Sequence, residues 1–160
     1  MYGKTRAIPY LVSALLAAAV LSAIPQIADA HAHLRVAEPP EAILDNAPLQ
    51  EVRLVFSEPV MGSFSRFRVF RLNLPDTGVR NLTQLNTLAS ELGVDTKDSF
   101  HHEVELLNGQ PSQSAEITLR SSKPLPAGAY AIVWRVLSVD GHTTTGFHTF
   151  VHVGGTASRR

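Results

Sequence analysis

Cysteine is absent from the 160 residues. A disulfide framework and a thiolate metal site are both excluded, so any bound transition metal must rest on nitrogen and oxygen. Charge of one sign is lacking too. Fourteen basic residues face 14 acidic ones, which removes the electrostatic case for nucleic acid or an anionic membrane surface. No Gly-x-Ser-x-Gly elbow and no glycine-rich phosphate loop occurs, so neither a hydrolase triad nor nucleotide binding has a motif to stand on.

Long hydrophobic runs are also missing, with one exception. Lys4 and Arg6 precede an apolar stretch from Tyr10 to Ile24, and the segment closes on Ala28-Asp29-Ala30. A positive start, an apolar middle and small residues at the cleavage positions read as a secretory signal peptide. Ser13, Ser22 and Pro25 interrupt the stretch, leaving it short of the ~20 apolar residues of a membrane span. Residues 1–30 are therefore expected to be removed, leaving a soluble chain that begins His31-Ala32-His33. Losing Lys4, Arg6 and Asp29 would leave it one more acid than base. Residues 31–153 are expected to form one domain, and 154–160 a frayed tail.

What remains alternates in short segments. Leu34 to Ala37, Glu51 to Phe56, Phe67 to Leu72, His102 to Leu107, Ala115 to Leu119, Tyr130 to Val139 and Thr144 to Val153 carry branched and aromatic residues between turn residues. About seven such strands predict an all-β sandwich or small barrel. One stretch differs. Leu82, Leu85, Leu88 and Leu92 recur at helical spacing, with Asn81 placed to cap the start and Gly93 the end. That predicts a short inserted helix whose leucines cover an open side of the sandwich.

Seven histidines occur. Six fall in tight groups: His31 and His33, His101 and His102, His148 and His152. The seventh closes Ser138-Val139-Asp140-Gly141-His142. In an extended segment residues two apart share a side, so Asp140 and His142 are expected to aim a carboxylate and an imidazole at one point. Gly141 lets the backbone bend between them. A mature terminal histidine adds a chelating pair, its amine and its own ring. The amine's pKa of ~7.7–8.0 lets a strongly binding metal displace its proton near neutrality. Three nitrogens and one carboxylate oxygen in a square suit Cu(II).

These residues have a familiar order. His31-Ala32-His33-Leu34, Pro39-Pro40, Leu54-Val55-Phe56-Ser57-Glu58-Pro59-Val60, Pro126-Ala127-Gly128-Ala129-Tyr130, Trp134 through His142, and Gly146 together resemble the CopC-like copper-resistance family. The resemblance spans nearly the whole mature chain. It implies an immunoglobulin-like Greek-key sandwich in the periplasm that holds one Cu(II) per chain through His31, Asp140 and His142. Glu58 would stand behind these ligands, hydrogen-bonding one of them. It implies that the protein buffers copper or delivers it to a CopD-like inner-membrane copper transporter; the chain is expected to be a monomer without enzymatic turnover.

Three departures qualify the likeness. Met61 is the sole methionine after the leader, so the methionine-rich Cu(I) site of some members is expected to be missing. The segment 75–100 is longer than the family's usual connection, and Thr143 stands where a proline often follows the histidine.

Other roles compete for the same residues. His33, third from a free amine, can chelate Cu(II) locally with the intervening amides, unless a strand commits those nitrogens. His101 and His102 are expected to face solvent on opposite sides of a strand. His148 and His152, flanking Phe150, are expected in or near the core. Two other functions also remain open. An amino-terminal histidine with a second histidine is the copper site of lytic polysaccharide monooxygenases, although Asp140 would fill the position oxygen needs and aromatics are only 7%. A metal-free immunoglobulin-like assembly domain is the other.

Overall fold

The computed structural model describes residues 32–44, 48–74, 81–95, 97, 99–107 and 109–153. The predicted leader, His31 itself and the predicted tail lie outside the described residues.

Among the described residues eight strands form two sheets. The first sheet has the order β1-β3-β6, with β1 at Leu34–Glu38, β3 at Glu51–Val60 and β6 at Ser114–Arg120. The second has the order β2-β8-β7-β4-β5. Its members are β2 at Ile43–Leu44, β8 at Thr143–His152, β7 at Gly128–Leu137, β4 at Arg66–Leu72 and β5 at His102–Glu103. Pairings are antiparallel except that of β2 with β8. The expected all-β sandwich with one short helix is the fold observed.

The sheets close on a shared core. Alternate residues of β3 (Val52, Leu54, Phe56) meet Tyr130, Ile132, Trp134 and Val136 of β7 and Phe150 of β8. Phe56 and Trp134 meet edge to face, ring centres 5.9 Å apart, a geometry the ring quadrupoles favour. Tyr130 is fully buried, and its hydroxyl donates to the Pro126 carbonyl at 2.6 Å. This is the tyrosine corner of immunoglobulin-like sandwiches, which supplies the buried phenol with an acceptor.

Strand β7 is buried on both faces, which explains its nearly unbroken apolar sequence. Helix α1, Leu82–Glu91, covers the outer face. Leu85 and Ala89 pack on Phe70, Ala131, Val133 and Val151. Asn81 caps it as predicted, its side chain accepting from the Thr83 amide at 3.0 Å. The far end differs from expectation. Leu92 turns to an extended conformation and closes the helix, so Gly93 supplies no left-handed cap.

Other differences have local causes. The predicted strand 102–107 shrinks to His102–Glu103, followed by a single bridge from Leu106 to Ser121. The strand predicted to end at Phe56 runs on through Ser57-Glu58-Pro59 to Val60. No helix among the described residues is long and apolar enough to cross a membrane.

Candidate metal centre

The prolonged end of β3 organises the site. On one side it meets the start of the domain. The Ser57 amide donates to the His33 carbonyl at 2.7 Å, and the His33 amide donates to Ser57 Oγ at 2.9 Å. Leu34 pairs with Phe56, so one residue beyond His33 Ala32 comes level with Glu58. Ala32 is only 1% exposed and belongs to the inter-sheet core. That burial fixes where the chain enters the fold.

On its other side β3, whose pairing with β6 is interrupted after Val55 and resumes between Val60 and Ser114, also bonds to the second sheet. Val60 bridges Ser138, the Val139 amide donates to the Pro59 carbonyl at 3.2 Å, and the Met61 amide donates to Leu137 at 2.8 Å. One step back along β3 is Glu58; one step on from Val139 is Asp140. Glu58 therefore lies between the chain entry at Ala32 and the turn that carries Asp140.

That turn joins β7 to β8. The Ser138 amide donates to the His142 carbonyl at 2.9 Å and Gly141 to Ser138 at 3.0 Å. Gly141 takes φ +89°, a left-handed conformation that glycine enters without steric cost. Asp140 and His142 converge through this closed turn, and not through the period of an extended strand. The Asp140 Oδ1 accepts from the Ser138 hydroxyl and from the His142 amide, the latter at 3.0 Å. Its Oδ2 lies 2.8 Å from His142 Nδ1.

The consequence is electrostatic. Donation by the Ser138 hydroxyl, then by the His142 amide, holds the Asp140 carboxyl down to about 2. It stays ionised across the physiological range. The His142 side chain is 57% exposed against 26% for Asp140, so the imidazole stands at the rim and the carboxylate behind it.

Glu58 is half-buried, and its Oε1 is closed to solvent with no hydrogen-bond partner. A buried carboxylate oxygen is costly to leave unpaired, so the site is short of one donor. Among the described residues no group of three His, Cys, Asp or Glu is arranged to hold a metal. Asp140 and His142 are together; His31, the predicted third ligand, lies outside the described residues.

The remaining histidines divide. His148 is buried, its Nε2 2.8 Å from the Pro39 carbonyl, and burial pushes its pKa down. His152 is buried as well, so both sit in the core as expected. His102 is exposed on β5. His101 departs from expectation: it lies before the strand, half-buried, and its Nδ1 accepts from the Asn73 amide at 3.0 Å. Two serines escaped the sequence reading as functional residues. Ser57 and Ser138 each precede an acidic position by one or two residues, the pattern of side chains that bond local backbone and turns.

The fold is thus a two-sheet sandwich in which an ionised carboxylate and an imidazole are held together in the hairpin between the last strands. Residues 34–152 match the model of the CopC domain, and the chain belongs to the CopC family, copper-binding resistance proteins and not enzymes. It is 31% identical over 121 residues to protein YobA of Escherichia coli strain K12, covering 76% of this chain and 77% of that one. Its fold is similar to that of PcoC, a methionine-rich copper resistance protein from Escherichia coli. There the TM-score is 0.53 at 22% identity, over 77% of this chain and 99% of that one. The selenomethionine form of PcoC aligns with TM-score 0.51 at 21% identity, over 75% and 98%.

Proposed function

We propose that the protein is a periplasmic Cu(II) carrier that binds one ion through the amine and ring of His31, the Asp140 carboxylate and the His142 imidazole. The observation that carries this reading is the Asp140–His142 pair. Two donor atoms 2.8 Å apart have the separation of two ligands at right angles, each about 2.0 Å from one ion. Asp140 needs no proton removed to serve.

Covalent geometry supports the third ligand. Consecutive Cα atoms are about 3.8 Å apart, and the register of β1 on β3 brings Ala32 level with Glu58. The unpaired Glu58 oxygen then has a role, accepting from a ligand's N–H and fixing its orientation. Copper is cargo here. The family gives no ground for turnover, and Asp140 would occupy the position that oxygen activation requires. Export rests on the leader-like sequence of residues 1–30. Hand-over to a CopD-like inner-membrane transporter, from a monomer, is the use this reading assigns to the bound ion.

The mass of the exported protein, measured without and with Cu(II), tests the reading. A chain starting at His31 that gains one copper is expected. A different terminus, or no bound copper, overturns it.

A further inference from the structure

A chain that starts His31-Ala32-His33 offers copper two cradles that exclude each other. In one, the terminal residue joins Asp140 and His142 from across the sandwich. In the other, the first three residues curl around the ion. They supply the amine, the Ala32 and His33 backbone nitrogens and the His33 ring, four nitrogens in a square with no help from the rest of the protein. Chelation within three residues needs no folded partner, so the fold must obstruct it for the first cradle to win.

The obstruction is visible at His33. The local cradle requires its backbone nitrogen to lose a proton and turn toward the ion. That N–H instead donates to Ser57 Oγ at 2.9 Å, while the His33 carbonyl accepts from the Ser57 amide at 2.7 Å. In a regular antiparallel pair the two residues exchange two backbone bonds. Here a side-chain hydroxyl takes the place of the second acceptor, next to a register shift between Leu34 and Val36. Curling would also draw Ala32 out of the core, where it is 1% exposed.

Resting on the ligand reading above, we propose that Ser57 determines which cradle copper takes. By holding both backbone groups of His33, it denies the ion the local four-nitrogen chelate and leaves it to Asp140 and His142. Ser57 is thus a positioning residue that works through the first strand, and its hydroxyl is the removable half of the lock.

The test uses the exported protein with one equivalent of Cu(II), read by electron paramagnetic resonance and visible absorption. The peptide His-Ala-His-Leu serves as the four-nitrogen standard. Ser57→Ala is expected to raise the ratio of four-nitrogen to native signal roughly fivefold, the weight of one neutral hydrogen bond, with its visible band at higher energy. Ser57→Thr, which keeps the hydroxyl, is expected to restore the native signal. A folded Ser57→Ala protein with an unchanged spectrum overturns the inference. Asp140→Ala gives a second arm that does not depend on the Ser57 variant folding. With Ser57 in place, weakened binding without the four-nitrogen signal is expected, and complete conversion to that signal overturns the inference. A native protein that already shows four nitrogens overturns the Asp140–His142 ligand set itself, a separate result from either variant's.

Discussion

The indole of Trp134 occupies the space that a side chain at Gly146 would need. A Cβ built there would lie 2.6 Å from Trp134 Cζ2 and 2.8 Å from Cε2. The two residues are paired across β7 and β8, and the same indole meets Phe56 of the opposite sheet. Gly146→Ala must push the ring into a packed core, which costs about 1–3 kcal/mol. A fall in the melting temperature of the copper-free protein by several degrees is expected. An unchanged transition would mean that the indole has room to move.

Asp140 should show its hydrogen bonds in an acid titration of stability. Its carboxyl is held near 2 in the folded state against ~3.9 in an unfolded chain. A depressed folded value stabilises the protein above the unfolded value and loses that contribution as pH falls toward 2. Urea unfolding of the copper-free protein between about pH 5 and pH 2 should therefore lose part of its slope in Asp140→Asn. Ser138→Ala, which removes the first donor, should move the same way by a smaller amount.

Two buried oxygens without partners lead to opposite expectations. Thr144 Oγ1 and Glu58 Oε1 are both unpaired. Replacing Thr144 by the similarly shaped Val removes an unsatisfied hydroxyl, so thermal stability should hold or rise. Glu58→Gln should keep the fold and lower copper affinity by ~10–100-fold, the usual cost of losing a group that orients a ligand. Competition with a chelator of known affinity measures it. Equal affinities for wild type and Glu58→Gln would remove Glu58 from the site.

His148 supplies a second pH dependence, with a different window. Burial lowers its pKa, so the unfolded state takes up the proton first, near ~6.5. Stability is full above that value and declines as pH falls below it. His148→Gln should flatten the decline while weakening the tie between β8 and the Pro39 carbonyl. Guanidinium midpoints at pH 7.5 and 5.5 compare the two proteins. Parallel declines would assign the effect elsewhere.

Much of the fold was legible because its signals are local. Asn81 ahead of periodic leucines marked the helix, and the apolar run of β7 marked the central strand. The Asp140-Gly141-His142 spacing marked the candidate pair, although a tight turn brings the two side chains together where strand periodicity was expected. Other features depend on partners distant in sequence. β2 has only two residues and owes its assignment to Val151 and His152. Pro59 reads as a terminator, yet it stands where β3's pairing with β6 is interrupted between Val55 and Val60. A missing N–H costs little there, and the Pro59 carbonyl is free to accept from Val139. Nothing adjacent in the sequence announces that exchange of partners. The grip of Ser57 on His33 is equally a product of register.

Because β3 is bonded to both layers, the sandwich is stitched at one end by main-chain contacts at Val60, Met61 and Val139. Separating the layers here must break backbone bonds as well as side-chain packing. The turn that carries Asp140 and His142 follows directly on these contacts, so its position is tied to β3 as well as to the two strands it joins.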